Sequence, residues 1–249
     1  MCLCPMQAGA EKLRMSGVRD VQMQGLLYVH QREIAACTPG DAAVTFLGSD
    51  DATTCHILVL KDLGEFVQQK EDVHLLTFCA SELNTIPRSG VQHPAIYGIA
   101  VDVRTGDLFP ARFPDRGPDS VLRSARIFSC NTMEDVYSAE NGELHVGPYH
   151  WESSKDVIFW LSQPDCVLLK HLSTSPAVEP PDFVSRLRDQ LCFLLEHPTP
   201  HKLFPHGKVC EPSNRISGLT CPGWSPAACS SWSAISNATQ APNEYPARR

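Results

Sequence analysis

Cys55 stands at the end of a loop of small and polar residues, Gly48-Ser49-Asp50-Asp51-Ala52-Thr53-Thr54, which leads into the apolar run His56-Ile57-Leu58-Val59-Leu60. Such a loop leaves room for a ligand and places backbone N–H groups and hydroxyls close to one sulfur. The combination suits amide hydrolysis. A thiolate attacks the carbonyl carbon, neighbouring N–H groups with the Thr53 and Thr54 hydroxyls stabilise the oxyanion, and ammonia leaves. Ser49, Asp50 and Asp51 complete the candidate binding or oxyanion residues here, and a carboxylate among them can instead hold a substrate amino group. An ordinary cysteine thiol is mostly protonated at neutral pH, so this chemistry also needs a base or a positive neighbour. His56 adjoins Cys55, but successive strand residues face opposite ways, so a structural histidine is the alternative reading.

The elements that must position this thiol are short. Residues 1–24 read as a loose or briefly helical lead-in, and Gly25 opens a strand, Leu26-Leu27-Tyr28-Val29, running on towards Ala35. Thr38-Pro39-Gly40-Asp41 is a turn, because Pro presets one φ, Gly permits a positive one and Asp can bond its own backbone; it predicts a hairpin between Leu26–Ala35 and Ala42–Leu47. The run from His56 to Leu60 predicts a central strand, and Leu63 to Asp72 at most a brief helix. Val73–Leu83 and Ala95–Val103 predict further strands, the second turning at Arg104-Thr105-Gly106-Asp107 into Leu108–Phe113. Pro118 to Phe128 predicts a helix with Val121, Leu122, Ala125 and Phe128 on one stripe. Asp115 and Arg116 before it read either as a substrate clamp or as a capped helix with a surface ion pair. Asn141-Gly142 marks a hairpin. Val157–Leu161 and Val167–Leu172 are apolar runs split by Pro164. The loop Ser173–Pro181 then feeds a helix over 182–197, with Phe183, Leu187, Leu191, Leu194 and Leu195 along one face.

Composition narrows the function classes. With 249 residues and 43% apolar content, one sizeable core is expected. Twenty-eight acidic against 21 basic residues, a formal charge of −7 and no basic block argue against nucleic-acid or anionic-membrane partners. No run approaches a membrane helix, and the opening MCLCPMQAGAEKLR lacks the apolar segment of a secretory signal, so a cytoplasmic or nuclear monomer is expected. The eleven cysteines are irregularly spaced, with Cys55, Cys79 and Cys192 inside apolar runs, and they read as reduced thiols. Cys2 with Cys4, or Cys221 with Cys229, gives at most half a metal site, and no metal is assigned.

Taken together, LGSDDATTCHILVL, GLLYV, IYGIAVDV, DRGP, VGPY and STSPAVEPPDFV resemble the protein N-terminal asparagine amidohydrolase family, in order from about Gly25 to His201. The resemblance implies hydrolysis of the side-chain amide of an N-terminal asparagine to aspartate with release of ammonia. It further implies a place in the N-degron, ubiquitin-dependent degradation pathway and protein or peptide substrates. It implies that Cys55 is the nucleophile and Glu179 an active-site carboxylate, binding the α-amino group or orienting the catalytic groups. Ser173 and Ser175, beside Glu179, join the candidates. No metal or organic cofactor is implied.

Between Leu60 and Glu71 the family carries several tens of residues absent here, including a strand with a histidine, as a splice variant or a mispredicted gene model would lack them; both ends also diverge. The expected architecture is therefore an α/β sandwich-like domain with a mixed, mainly antiparallel sheet and flanking helices. The domain is expected over 25–206, shortened between 60 and 71, after a divergent lead-in over 1–24 and before a disordered tail over 207–249. The leading expectation is an amidohydrolase. The alternative is an inactive form that only binds peptides or proteins.

Overall fold

The computed structural model describes residues 5–59, 84–128, 133–151, 155–199 and 203–204. The expected helix at 63–72, the strand at 73–83 and the tail at 207–249 lie outside the described residues. The chain begins with helix α1 (Pro5–Met15) and strands β1 (Arg19–Asp20), β2 (Leu26–Tyr28), β3 (Glu33–Ile34) and β4 (Phe46–Ser49). A hairpin of β5 (Thr85–Arg88) and β6 (Val91–Pro94) precedes β7 (Ile99–Asp102) and β8 (Leu108–Arg112). Helix α2 (Ser120–Ala125) runs on into a 3-10 turn (Arg126–Phe128), followed by the short strands β9 (Glu134–Asp135), β10 (Tyr137–Ser138) and β11 (Glu143–Leu144). Helices α3 (Asp156–Leu161), α4 (Asp165–Leu172) and α5 (Phe183–Glu196) follow.

Five strands form the central sheet in the order β1-β8-β7-β4-β2. It is mixed: β1 and β2 lie parallel to their neighbours at the two edges, and the β8-β7-β4 centre is antiparallel. Both faces are covered. Leu27 joins the larger core with Leu122, Leu168, Leu187 and Leu191, whereas Leu26 and Tyr28 pack on the other side with Phe109 and Phe113. Side chains alternate along a strand, so a strand buried on both faces reads as the unbroken apolar run Leu26-Leu27-Tyr28. Helices α2, α3 and α4 all contact α5, whose Leu187, Leu191 and Leu194 face the larger core.

The α/β class, the mixed sheet, the turn at 104–107 between β7 and β8, the Asn141-Gly142 hairpin and the long C-terminal helix all match the sequence expectations. Several local expectations do not. Thr38–Asp41 is a turn, with the Asp41 N–H donating to the Thr38 carbonyl at 3.0 Å, but it joins no hairpin. Strands β2 and β4 run parallel, Leu26 opposite Phe46, because β2 stops at Tyr28 and the chain crosses back before β4 begins. The Asp41 carboxylate caps the Ala43 and Val44 N–H groups at 2.8 and 2.9 Å, and Gly25 offers its carbonyl to Thr45 and Phe46, which sets this re-entry. Residues His56–Val59 form no strand. Both edges of β4 are already paired, with β2 and with β7, so the sheet offers no adjacent place for the segment that leaves the Cys55 loop. On α2 the expected stripe is only partly apolar: Phe128 is exposed, while Arg123 and Arg126 are buried because acidic partners inside the fold neutralise them. The apolar runs Val157–Leu161 and Val167–Leu172, which carry no element assignment in the sequence reading, are helical. The β5–β6 hairpin, turning at Ser89-Gly90 with positive φ at both residues, was not expected from the sequence.

One close approach sets the loop that carries the thiol. A Cβ placed on Gly98, just before β7, would lie 2.4 Å from the Asp50 Cβ and 2.8 Å from the Ala111 carbonyl oxygen. Only glycine lets the chain pass here, and Asp50 is thereby held against the end of β7.

Candidate active site

The loop after β4 turns tightly. Asp51 is left-handed, at φ 64°, and the Thr53 N–H donates to the Asp51 carbonyl at 2.9 Å. Aspartate tolerates that conformation better than most residues. Ser49 belongs to β4, opposite Ile99, while Thr54, Cys55 and His56 are exposed. The Cys55 sulfur is therefore reachable from solvent.

Two groups of side chains meet the loop that carries it. In the first, the Thr53 and Ser175 hydroxyls share a hydrogen bond of 2.7 Å across 122 residues of sequence. Ser175 in turn donates to Glu179 Oε1 at 3.1 Å, and Ser173 donates to the same oxygen at 2.5 Å. The Ser175 N–H donates to Ser173 Oγ at 2.9 Å, which shapes this loop between α4 and α5. The structure thus brings together Thr53, Ser173, Ser175 and Glu179. Among the described residues no ion pair reaches Glu179.

In the second group the carboxylates are paired. Arg116 reaches Asp50 at 2.5 Å and Asp51 at 2.7 Å, and Arg186 of α5 reaches Asp51 at 2.8 Å as well as Asp182. The Tyr28 hydroxyl donates to Asp50 at 2.5 Å, and the Arg116 guanidinium lies over the Tyr28 ring, 4.8 Å from its centre. Arg116 is neither a clamp open to solvent nor half of a surface ion pair: its side chain is 12% exposed, and its partners are the loop acids. Asp115 accepts the Gly117 N–H, at 2.9 Å, and among the described residues forms no ion pair.

Burial, followed by the Asp50 charge, holds the Tyr28 hydroxyl well above its ordinary range, so it stays protonated and donates. Asp50 itself is pushed up from 3.8 to about 6, first by burial and then by the like charge of Asp51, with Arg116 opposing both. The folded protein holds this proton more tightly than the unfolded chain does. The resulting contribution to stability is fully present below pH 3.8 and is lost as pH rises through about 6. Asp50→Asn removes that slope, so the melting temperature of the variant relative to the parent should improve as pH rises from about 4 to about 7. A difference that stays flat across that range contradicts the assignment.

His30, beside this network, is kept neutral by burial and by the charges of Arg123 and Arg116; its Nε2 lies 3.3 Å from the Ser120 hydroxyl. Among the described residues no histidine nitrogen hydrogen-bonds to the Cys55 sulfur. The described contact to that sulfur is from Gln31, at 3.6 Å. Sequence reasoning passed over Tyr28, Gln31 and Arg186. The available signal was the polar interruption His30-Gln31-Arg32-Glu33 in an otherwise apolar stretch.

An α/β domain whose cysteine loop is tied to a distant hydroxyl–carboxylate chain is the class of protein that fold and site define. A sequence model of the protein N-terminal asparagine amidohydrolase family matches residues 16–66 and 62–211. The protein N-terminal asparagine amidohydrolases of Sus scrofa and Homo sapiens are each 37% identical over 277 residues, covering 86% of this chain and 89% of the relative. That of Arabidopsis thaliana is 25% identical over 264 residues, covering 72% and 76%. The chain belongs to the protein N-terminal asparagine amidohydrolase family. The two matched pieces meet at 62–66, and the 277 aligned residues exceed the chain's own 249, so the mammalian relatives carry residues that have no counterpart here.

Proposed function

We propose that this chain hydrolyses the side-chain amide of an N-terminal asparagine in proteins and peptides, giving aspartate and ammonia. The observation that carries the reading is the Thr53–Ser175–Glu179 chain, which sets an acid from the loop before α5 beside the Cys55 loop. In this mechanism the Cys55 sulfur bonds to the amide carbon and the C–N bond breaks. Ammonia departs with the thiol proton, and water then cleaves the thioester to give the acid and restore the thiol. Glu179 receives the substrate's α-ammonium, since Asp50 and Asp51 are already matched by Arg116 and Arg186. The loop N–H groups assist at the oxyanion, while Thr53, donating to Ser175, extends the chain by which Ser173 and Ser175 hold Glu179 in place. Its product would enter the N-degron route to degradation, in the cytoplasm.

A second reading, binding of such termini without turnover, is favoured by one observation: among the described residues no histidine nitrogen hydrogen-bonds to the Cys55 sulfur. Purified chain incubated with a peptide bearing N-terminal Asn separates the two. Turnover adds about one dalton as amide becomes acid, and spares the same peptide when its α-amino group is acetylated. A cooperatively melting protein that binds the peptide without the mass change establishes the second reading instead.

A further inference from the structure

Gln31 is exposed and 24 residues from Cys55 in sequence, yet its Nε2 lies 3.6 Å from the Cys55 sulfur. A strained stretch of backbone holds it there. The Glu33 N–H donates to the His30 carbonyl at 3.1 Å, closing a four-residue turn, and Arg32 within that turn has φ 65°. A left-handed backbone at a long side chain is unfavourable; it persists only where surrounding contacts impose it, and such residues gather at functional sites. The contacts that impose it are present. Buried Arg126 donates to the Gln31 and Arg32 carbonyls at 3.2 and 2.7 Å and is itself paired with Glu134. The His30 N–H donates to Glu33 at 2.8 Å, and Arg123 grips both oxygens of the same carboxylate. Two buried guanidiniums thus shape a turn that presents a solvent-exposed amide to the thiol.

The geometry points to Gln31 as a catalytic residue of the amide hydrolysis. Its side-chain N–H donates to the Cys55 sulfur in the resting protein and to the oxyanion once attack has begun. This inference rests on the proposed reaction. As the C–S bond forms, the carbonyl π pair moves onto oxygen. That oxygen is one bond from the carbon now joined to sulfur, and so within reach of a donor already beside the sulfur. Collapse restores the C=O bond and expels ammonia. Attack of water on the thioester regenerates the oxyanion at the same place, so Gln31 acts in both halves of the reaction.

Gln31→Ala is expected to lower kcat by about 10²- to 10³-fold with KM changed less than about threefold, the pattern for an interaction made in the transition state. Gln31→Glu, of equal length but without the N–H donors, should lose at least as much. Both variants alter an exposed side chain, and thermal melts verify their folding. A second measurement does not depend on turnover. A peptide whose N-terminal residue carries an aldehyde in place of the asparagine carboxamide adds reversibly to Cys55 as a thiohemiacetal, with its oxygen in the oxyanion position. The dissociation constant of that adduct, titrated by intact mass, should rise at least about tenfold in both variants. Equal adduct affinity in the parent and in Gln31→Ala, or no adduct on either, overturns the assignment of Gln31. An adduct that weakens in the variants, on a parent that converts no asparagine peptide, supports Gln31 and overturns the proposed reaction alone.

Discussion

Cys55→Ala is expected to abolish conversion of an N-terminal Asn peptide, lowering kcat by more than about 10⁴-fold, because the proposed route forms its covalent intermediate on that sulfur. The sulfur is exposed and contributes nothing to either core, so the variant keeps the parent's melting temperature, with a stability change within about 0.5 kcal/mol. That separation matters because eleven cysteines are present, and loss of a generally reactive thiol is easily mistaken for loss of the nucleophile. Cys55→Ser keeps the shape but not the nucleophilicity and falls nearly as far, whereas Cys166→Ala, also at an exposed thiol, leaves turnover unchanged. Ammonia release and peptide mass, measured together, check the result. Turnover in Cys55→Ala within tenfold of the parent would remove Cys55 from the mechanism.

The second large effect is on stability. Arg123→Met removes about 3–5 kcal/mol from the free energy of unfolding, because it leaves two carboxylates inside the protein without their cation. The Arg123 side chain is 1% exposed and that of Glu33 0%, with 2.5 Å between them, and Asp119 lies 2.6 Å from the same guanidinium. A loss of that size is a large part of the stability of an ordinary domain. The Tyr28 carbonyl loses its donor as well, so β2 and the turn carrying Gln31 are both loosened. Urea denaturation measures the change. Arg123→Lys recovers only part, since an ammonium cannot grip both oxygens of Glu33 as the guanidinium does. Adding Glu33→Gln to Arg123→Met should relieve some of the destabilisation by removing one stranded charge. If Arg123→Met costs less than about 1 kcal/mol, the pair is more hydrated than its burial indicates.

What the amino-acid order determined by itself was local or carried by whole motifs. The Asn141-Gly142 hairpin, the turn between β7 and β8 and the apolar stripe of α5 follow from conformational preferences and spacing within a few residues. The Cys55 loop is legible because a run of small and polar residues leaves room and backbone donors beside one sulfur, and the motifs from GLLYV to STSPAVEPPDFV point to the family. What tertiary structure decided was every contact between distant segments. It placed β2 parallel to β4 rather than in a hairpin, since hydrogen-bonding edges are filled by the whole sheet and not by neighbours in sequence. It turned Arg116, Arg123 and Arg126 inward, because an acidic partner makes burial tolerable and no periodicity announces that partner. It joined Thr53 to Ser175 and Gln31 to Cys55, so the candidate cysteine is legible in the sequence but its surroundings are not. A hydrogen bond between side chains 122 residues apart leaves no repeat or spacing in the chain, and only packing brings its two ends together.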